Sequence, residues 1–245
     1  MQAIGIIPAR YQSSRYPGKP LVPILGKPLV IHVAERAAQA LGRDQVYVAT
    51  EDERILQVVE AHGFQGMMTA TTHPTGTDRL WEVAQQVPAD VYVNIQGDEP
   101  MVDPRDILRA AELKRQYPDR VINGMCPVAE GEDPANVNLP KVLFNRDRQL
   151  IYMSRLPIPG IKDPKVGKPT YWKQVCIYAF SYADLQAYGT YPGKAVYEQF
   201  EDIEITRFFD LGIGVQMMET QHASLAVDVP TDVAKVEAAL SQSSI

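Results

Sequence analysis

Short, wholly apolar runs alternate with apolar stripes of helical period through the first half of this chain, and that alternation leaves few folds open. Ala3–Pro8 reads as a buried strand. Leu29, Val30, Val33, Ala34, Ala37 and Leu41 then recur at helical spacing within Pro28–Leu41. Gln45–Ala49 is a second strand, and Asp52–His62 a second helix, with Ile55, Val58 and Val59 inward and Gly63 as its stop. Val91–Ile95 is a third strand, and Asp103-Pro104 gives the N-cap and first-turn proline of another helix. Strands separated by helices at this spacing are joined by right-handed crossovers, so the chain is expected to be α/β, with a mainly parallel sheet covered by helices on both faces. Its 245 residues, 45% of them apolar, suit one domain.

The rhythm breaks over about residues 123–171. This stretch is rich in proline and carries two strand-like runs, Lys141–Phe144 and Gln149–Ser154, around the turn Asn145-Arg146-Asp147. It reads as a small antiparallel excursion, a lid or dimerisation arm. Val142, Phe144, Leu150, Ile151 and Met153 on an exposed arm would leave an apolar patch in water, so a homodimer is expected. The α/β pattern resumes with a strand at Lys173–Phe180, a helix around Tyr197–Asp210, a strand at Val215–Glu219 and a closing helix at Thr231–Leu240.

Composition excludes several classes of function. A net charge of −6 argues against bulk binding to nucleic acid or to an anionic membrane, so any phosphate ligand needs a local basic site. Cys126 and Cys176 make neither a disulfide framework nor a zinc motif and read as small buried hydrophobes. No apolar run is long enough to span a bilayer, and the first residues turn polar too soon for a signal peptide, so a cytoplasmic location is expected.

The chemistry-bearing residues follow the strands. In open α/β sheets ligands bind beyond the carboxyl ends of the strands. There the first strand runs into Pro8–Pro20, a loop holding Arg10, Ser13, Ser14, Arg15, Gly18 and Lys19. Such a loop wraps phosphates with backbone N–H groups and charge-assisted hydrogen bonds. It is neither a G-x-G-x-x-G turn nor a P-loop, since Pro20 follows Gly18-Lys19. Val91–Ile95 ends in Gln96-Gly97-Asp98-Glu99, and Asp228 also follows a short apolar run. Carboxylates so placed suit Mg²⁺ held against phosphates. Asp232 reads instead as a first-turn helix residue. His73–Arg79 opens a helix with Gly76 and Thr77, either a site for a base edge or phosphate or an ordinary capped helix; His73 alone reads as a hydrogen-bonded loop residue.

Together these segments resemble the 3-deoxy-manno-octulosonate cytidylyltransferases, or CMP-Kdo synthetases. The resemblance is carried by the PARY-x-S-x-R-x-PGKP loop, the GKP-L-V-x-HV-x-ER helix, VAT-x-D-x-RI, GTDRL and N-x-QGDEP, and later by KV-L-F, Y-x-SR-x-x-IP and VD-x-P. It implies a single Rossmann-like nucleotidyltransferase domain with a dimerisation arm, homodimers, CTP and a sugar acid as substrates, and Mg²⁺ at Asp98 and Asp228. It implies catalytic roles for Arg10, Lys19, Asp98 and Asp228, and a nucleotide site at Ala9, Arg10, Ser13, Lys19, Thr75, Arg79 and Gln96. The acceptor would meet Arg155, Gln174, Tyr178, Glu201 and Glu204, with Arg207 sharing the face of Glu201 and Glu204 on one helix. The second half departs from the family: a His-Leu-Gly-x-Tyr run is Gln174-Val175-Cys176-Ile177-Tyr178, and Ile205 stands where a pocket Gln is expected. The implied reaction is cytidylyl transfer to a 2-keto-3-deoxy sugar acid, Kdo or a relative such as 8-amino-Kdo. The alternatives are a different acid or alcohol acceptor, or a nucleotide-binding homologue without catalysis.

Overall fold

β1 (Ala3–Ala9) owes its central place to a run without a charged side chain, almost all of it buried. The computed structural model describes residues 2–13, 16–221 and 225–243, so Ser14 and Arg15 of the basic loop lie outside the described residues. After β1, a hairpin of β2 (Pro23–Ile24) and β3 (Lys27–Pro28) leads into α1 (Leu29–Leu41). The expected alternation follows with β4 (Val46–Thr50), α2 (Glu53–Ala61), β5 (Gln65–Met68), α3 (Gly76–Ala84), β6 (Val91–Ile95) and α4 (Pro104–Gln116). Local chemistry sets the helix starts. Asp52 and Asp103 accept the N–H two residues on, and Thr75 forms a capping box with Asp78.

The second half contains β7 (Arg120–Pro127), β8 (Lys141–Phe144), β9 (Leu150–Ser154) and β10 (Trp172–Phe180). It closes with α5 (Tyr182–Gly189), α6 (Val196–Glu201), α7 (Arg207–Asp210), β11 (Gly214–Glu219) and α8 (Asp232–Ser243). The central sheet runs β11-β7-β10-β6-β1-β4-β5, with β8 and β9 attached beside β10. All pairings are parallel from β6 through β1 and β4 to β5, whereas β10 is antiparallel to both β6 and β7.

Side chains alternate between the two faces of the sheet. Ile7, Val93 and Ile95 pack under α1, α2 and α4, while Ile4, Ile6 and Tyr92 pack with Leu80, Phe180 and Phe208 on the other face. A third cluster of Ile24, Leu29, Val227, Val236 and Leu240 fastens the β2–β3 hairpin to α8. Fully burying each such side chain stabilises the fold by about 1.5–3 kcal/mol.

Three expectations are corrected. The stretch from Asn123 does not leave the sheet: β7 runs through it as an inner strand. Asn123 and Gly124 disfavour a strand, but the Asn123 amide donates to the carbonyls of Val175 and Ile177 where β10 bulges, which absorbs the polar side chain. The β8–β9 hairpin folds back on the sheet, with Val142 and Met153 buried in the protein's own core and Phe144 edge-on against Trp172; Ile151 is exposed. The helix expected around Tyr197–Asp210 is broken at Asp202, whose φ of 49° is left-handed. A 3₁₀ turn, Glu204–Thr206, separates α6 from α7. The reading also missed β5 and α5, the latter started by a Ser181–Asp184 capping box.

Candidate functional site

A cavity of about 670 Å³ opens at the carboxyl ends of β1 and β6. Because β10 runs the other way, its first half reaches the same edge: Ile177 pairs with Ile95, the last residue of β6, and Gln174–Cys176 extend beyond it. Two parallel strand ends thus face the front of an antiparallel one, and the cavity has two chemically different walls.

On the first wall, Ala9, Arg10, Ser13 and Lys19 come from the loop after β1, and Gln96, Gly97 and Asp98 from the end of β6. Gly97 is required by closeness, since a Cβ there would stand 2.9 Å from the Pro8 carbonyl oxygen. Lys19 begins a 3₁₀ turn behind Gly18, which is left-handed at φ 73°. Its Nζ lies 2.6 Å from Asp98 Oδ2 and 3.8 Å from Asp228 Oδ1. The chain holds these carboxylates together through its backbone. Val227 N–H donates to the Asp98 carbonyl at 2.9 Å, and Asp232 accepts the N–H groups of Asp228 and Val229, each at 3.1 Å. Burial alone would raise the Asp232 carboxyl, but those N–H groups and Lys235 hold it below the usual range. Asp232 therefore is the first-turn residue expected, and it also fixes the turn that presents Asp228.

Thr75 and Gly76 complete this wall from the start of α3. The Thr75 hydroxyl is engaged by Asp78 and by Tyr188 Oη at 3.1 Å. Arg79 does not reach the cavity. It is 1% exposed, donates to Thr69 Oγ1, and lies with Nη2 3.0 Å from Glu51, angled so that the contact is ionic and not a hydrogen bond. Burial lowers its pKa while Glu51 raises it.

The second wall holds Asn138–Pro140, Arg155, Lys173–Cys176, Tyr178, Glu198 and Asp202–Glu204. Gln174 Nε2 donates to Asn123 Oδ1 at 3.1 Å and to Tyr178 Oη at 3.3 Å. Burial, and next the Cys176 thiol, push the Tyr178 phenol well above its usual pKa. Glu204 Oε2 accepts the Thr77 N–H at 3.0 Å, and burial raises its carboxyl despite that bond. Arg155 gives Nη1 to the Val137 carbonyl and Nη2 to that of Asp202, both at 2.8 Å, and Nε to that of Glu201.

Glu201 faces the hairpin, not the cavity, accepting the Ser154 hydroxyl at 2.7 Å and the Arg155 N–H at 2.8 Å. Arg207 is turned into the core. It pairs with Asp78 at 2.8 Å and Glu198 at 2.7 Å, and lies over the Tyr188 ring. Glu201, Glu204 and Arg207 therefore do not share a helix face. Ile205 is fully buried beside Phe208, so the expected loss of a pocket Gln does not alter the cavity. The cysteine reading holds for buried Cys126, whose thiol burial pushes up to about 11, while Cys176 lines the cavity.

Sequence reasoning missed Gly97, Lys173 and Glu198 as lining residues. Gly97 was signalled by its place between a strand end and Asp98. Lys173 sits in an apolar strand and is neutralised by Glu132, a pairing across the fold that no local pattern reveals.

Comparison with known proteins finds relatives over nearly the whole length of the chain. Residues 4–237 match the profile of a family described as cytidylyltransferase. The chain is 41% identical to the 3-deoxy-manno-octulosonate cytidylyltransferase of Escherichia coli, over 98% of this chain and 97% of that one. It is 37% identical to the 8-amino-3,8-dideoxy-manno-octulosonate cytidylyltransferase of Shewanella oneidensis, over 95% and 96%. A solved CMP:2-keto-3-deoxy-manno-octonic acid synthetase complexed with CTP superposes with a TM-score of 0.91 at 40% identity, covering 99% of this chain and 100% of that one.

Proposed function

The chain belongs to the cytidylyltransferase family, and from that premise we propose the acceptor, the metal and the residues that carry its reaction. It is a CTP-dependent cytidylyltransferase. The acceptor is a 2-keto-3-deoxy sugar acid whose anomeric hydroxyl attacks the α-phosphorus of CTP. A new P–O bond forms, the bond from the α-phosphorus to the oxygen bridging it to the β-phosphorus breaks, pyrophosphate leaves with the electron pair, and the hydroxyl proton is released to water.

The observation that carries this reading is Lys19, Asp98 and Asp228 gathered at one point where two strand ends meet the cavity. Arg10 and Lys19 hold the phosphates, and the backbone near Ala9 and the Ser13 hydroxyl wrap them. Gln96 and Thr75 border the nucleoside, and Arg79 supports that wall from behind, through Thr69 and through Glu51, which accepts the Tyr11 N–H of the loop after β1. Among the described residues no group of three or more His, Cys, Asp or Glu could hold a metal. Two carboxylates already drawn to one cation nevertheless fit Mg²⁺, which takes one or two carboxylates and completes its shell with phosphate oxygens and water. Asp98 and Asp228 would hold it, and when bound it neutralises phosphate charge.

Arg155 and Glu204 orient the acceptor, with Gln174 and Tyr178 beneath it. Three of the five N–H donors of Arg155 point at backbone carbonyls, which leaves two for the acceptor's carboxylate. An 8-amino acceptor is the second reading, favoured by the Shewanella relative at nearly the identity of the Escherichia one. Pyrophosphate release from CTP and Mg²⁺, with Kdo, 8-amino-Kdo and unrelated acids in turn, tests both; turnover with none of the octulosonates rejects them.

We also place the protein as a homodimer in the cytoplasm, where CTP is made. Support for the dimer comes from β9 and α6, which touch through Tyr152 and Tyr197. They expose Ile151 at 61% and Phe200 at 85%. Among the described residues no helix is long and apolar enough to cross a membrane. A monomer mass by light scattering at micromolar concentration would contradict the dimer.

A further inference from the structure

Pro74, Thr75 and Gly76 are the rim of the first wall, and Gly76 lies against the end of β1: a Cβ there would stand 3.3 Å from Pro8 Cγ. The loop leading to them, residues 69–75, has no regular structure of its own. It is held from below by three side chains of α3. Asp78 takes the Thr75 N–H at 3.1 Å and Arg79 donates to the Thr69 hydroxyl. Glu82 takes both the Ala70 N–H, at 2.8 Å, and His73 Nε2 on one oxygen, Oε2.

Thr69 is doubly tied to the end of β4, its N–H and hydroxyl both donating to the Thr50 carbonyl, at 2.8 and 3.0 Å. That fixes the front of the loop, and the capping box fixes its rear. The middle depends on Glu82 alone among these anchors. Asp78 and Glu82 are four residues apart, so they stand on one side of α3 beneath the loop. The Glu82 carboxylate is kept low although burial raises it, because His73 and the Ala70 N–H both favour its charged form.

We propose that Glu82 is a positioning residue for the nucleotide, acting through Ala70 and His73 to hold the Pro74–Gly76 rim in register with the end of β1. His73 is then the hydrogen-bonded loop residue its sequence context suggests, with a specific purpose. The inference rests on the cytidylyltransferase reading, in which this wall meets CTP.

The test compares Glu82→Ala, Glu82→Gln and His73→Ala by CTP titration calorimetry, by separate KM values for CTP and for the sugar acid, and by Tm. Glu82→Ala is expected to raise the CTP dissociation constant and KM about tenfold, with the acceptor KM unchanged. Glu82→Gln is expected to recover most of that loss, because its amide oxygen still accepts from Ala70. His73→Ala, which leaves the Ala70 bond intact, is expected to raise the CTP KM about threefold. That variant decides the matter should Glu82→Ala fail to fold. A lowered Tm with an unchanged CTP KM overturns the proposal, as does an equal rise in both KM values. Wild-type protein that neither binds nor turns over CTP would instead sink the cytidylyltransferase reading, and this inference with it.

Discussion

The two walls of the cavity are built by opposite means. On the nucleotide wall the charges come from loops just past parallel strands and meet each other across the opening, as Lys19 meets Asp98 and Asp228. On the acceptor wall the charges are tied backward into the protein: Lys173 to Glu132, Glu198 to Arg207, and Arg155 to three carbonyls. The first wall presents charge to the cavity. The second uses charge mainly to hold a shape, and turns Glu204, Gln174 and Tyr178 to the cavity.

From that contrast the largest effect on folding is expected on the acceptor side and the largest effect on turnover on the nucleotide side. Arg207→Met leaves Asp78 and Glu198 buried without their cation, at a cost of about 3–5 kcal/mol. Urea unfolding is expected to show that loss, and a midpoint equal to wild type would mean the network is not structural. Asp98→Asn and Asp228→Asn are expected to unfold as wild type does, since both carboxylates are partly exposed. Each is expected to lower kcat by about a hundredfold or more at limiting Mg²⁺. Unchanged turnover would remove that residue from the metal site. Arg10→Ala and Lys19→Ala each delete a charge-assisted hydrogen bond worth about 1.5–3 kcal/mol, so kcat/KM for CTP is expected to fall about ten- to a hundredfold. Normal kinetics in both would mean that the loop is merely solvated.

The same contrast explains what could be read in advance. The first wall is local: a strand, its carboxyl end and the next few residues line it, so the place of Arg10, Lys19, Gln96 and Asp98 at the cavity is legible in a linear pattern. The acceptor wall is assembled by pairing across the fold. β10 brings Gln174 and Tyr178 to the cavity only because it runs antiparallel to β6, and no apolar run announces its own direction. Likewise, three-residue steps placed Glu201, Glu204 and Arg207 on one helix face. Asp202 in a left-handed conformation breaks that helix and sends each side chain to a different partner. Arg79 looked like a ligand by motif and proved to be a buried support, because a helix start that carries a site must itself be held in place.

The smallest and sharpest test falls on Glu204, where shape and chemistry meet. Its carboxyl is raised by burial, with the Thr77 N–H opposing. An acid raised in the folded state binds more protons there than in the unfolded chain. Stability attributable to Glu204 therefore falls as pH rises from the ordinary Glu value through its raised folded value, and is regained on acidification through that window. Glu204→Gln removes this titration. Above the window the variant is expected to be as stable as wild type or slightly more so, and its Tm is expected to lose that part of the pH dependence. Its KM for the sugar acid is expected to rise about tenfold, the worth of one hydrogen bond to a charged group, while the CTP KM stays unchanged. Equal changes in both KM values would place Glu204 outside the acceptor wall. A Tm that falls at neutral pH would mean that its charge supports the start of α3 more than burial penalises it.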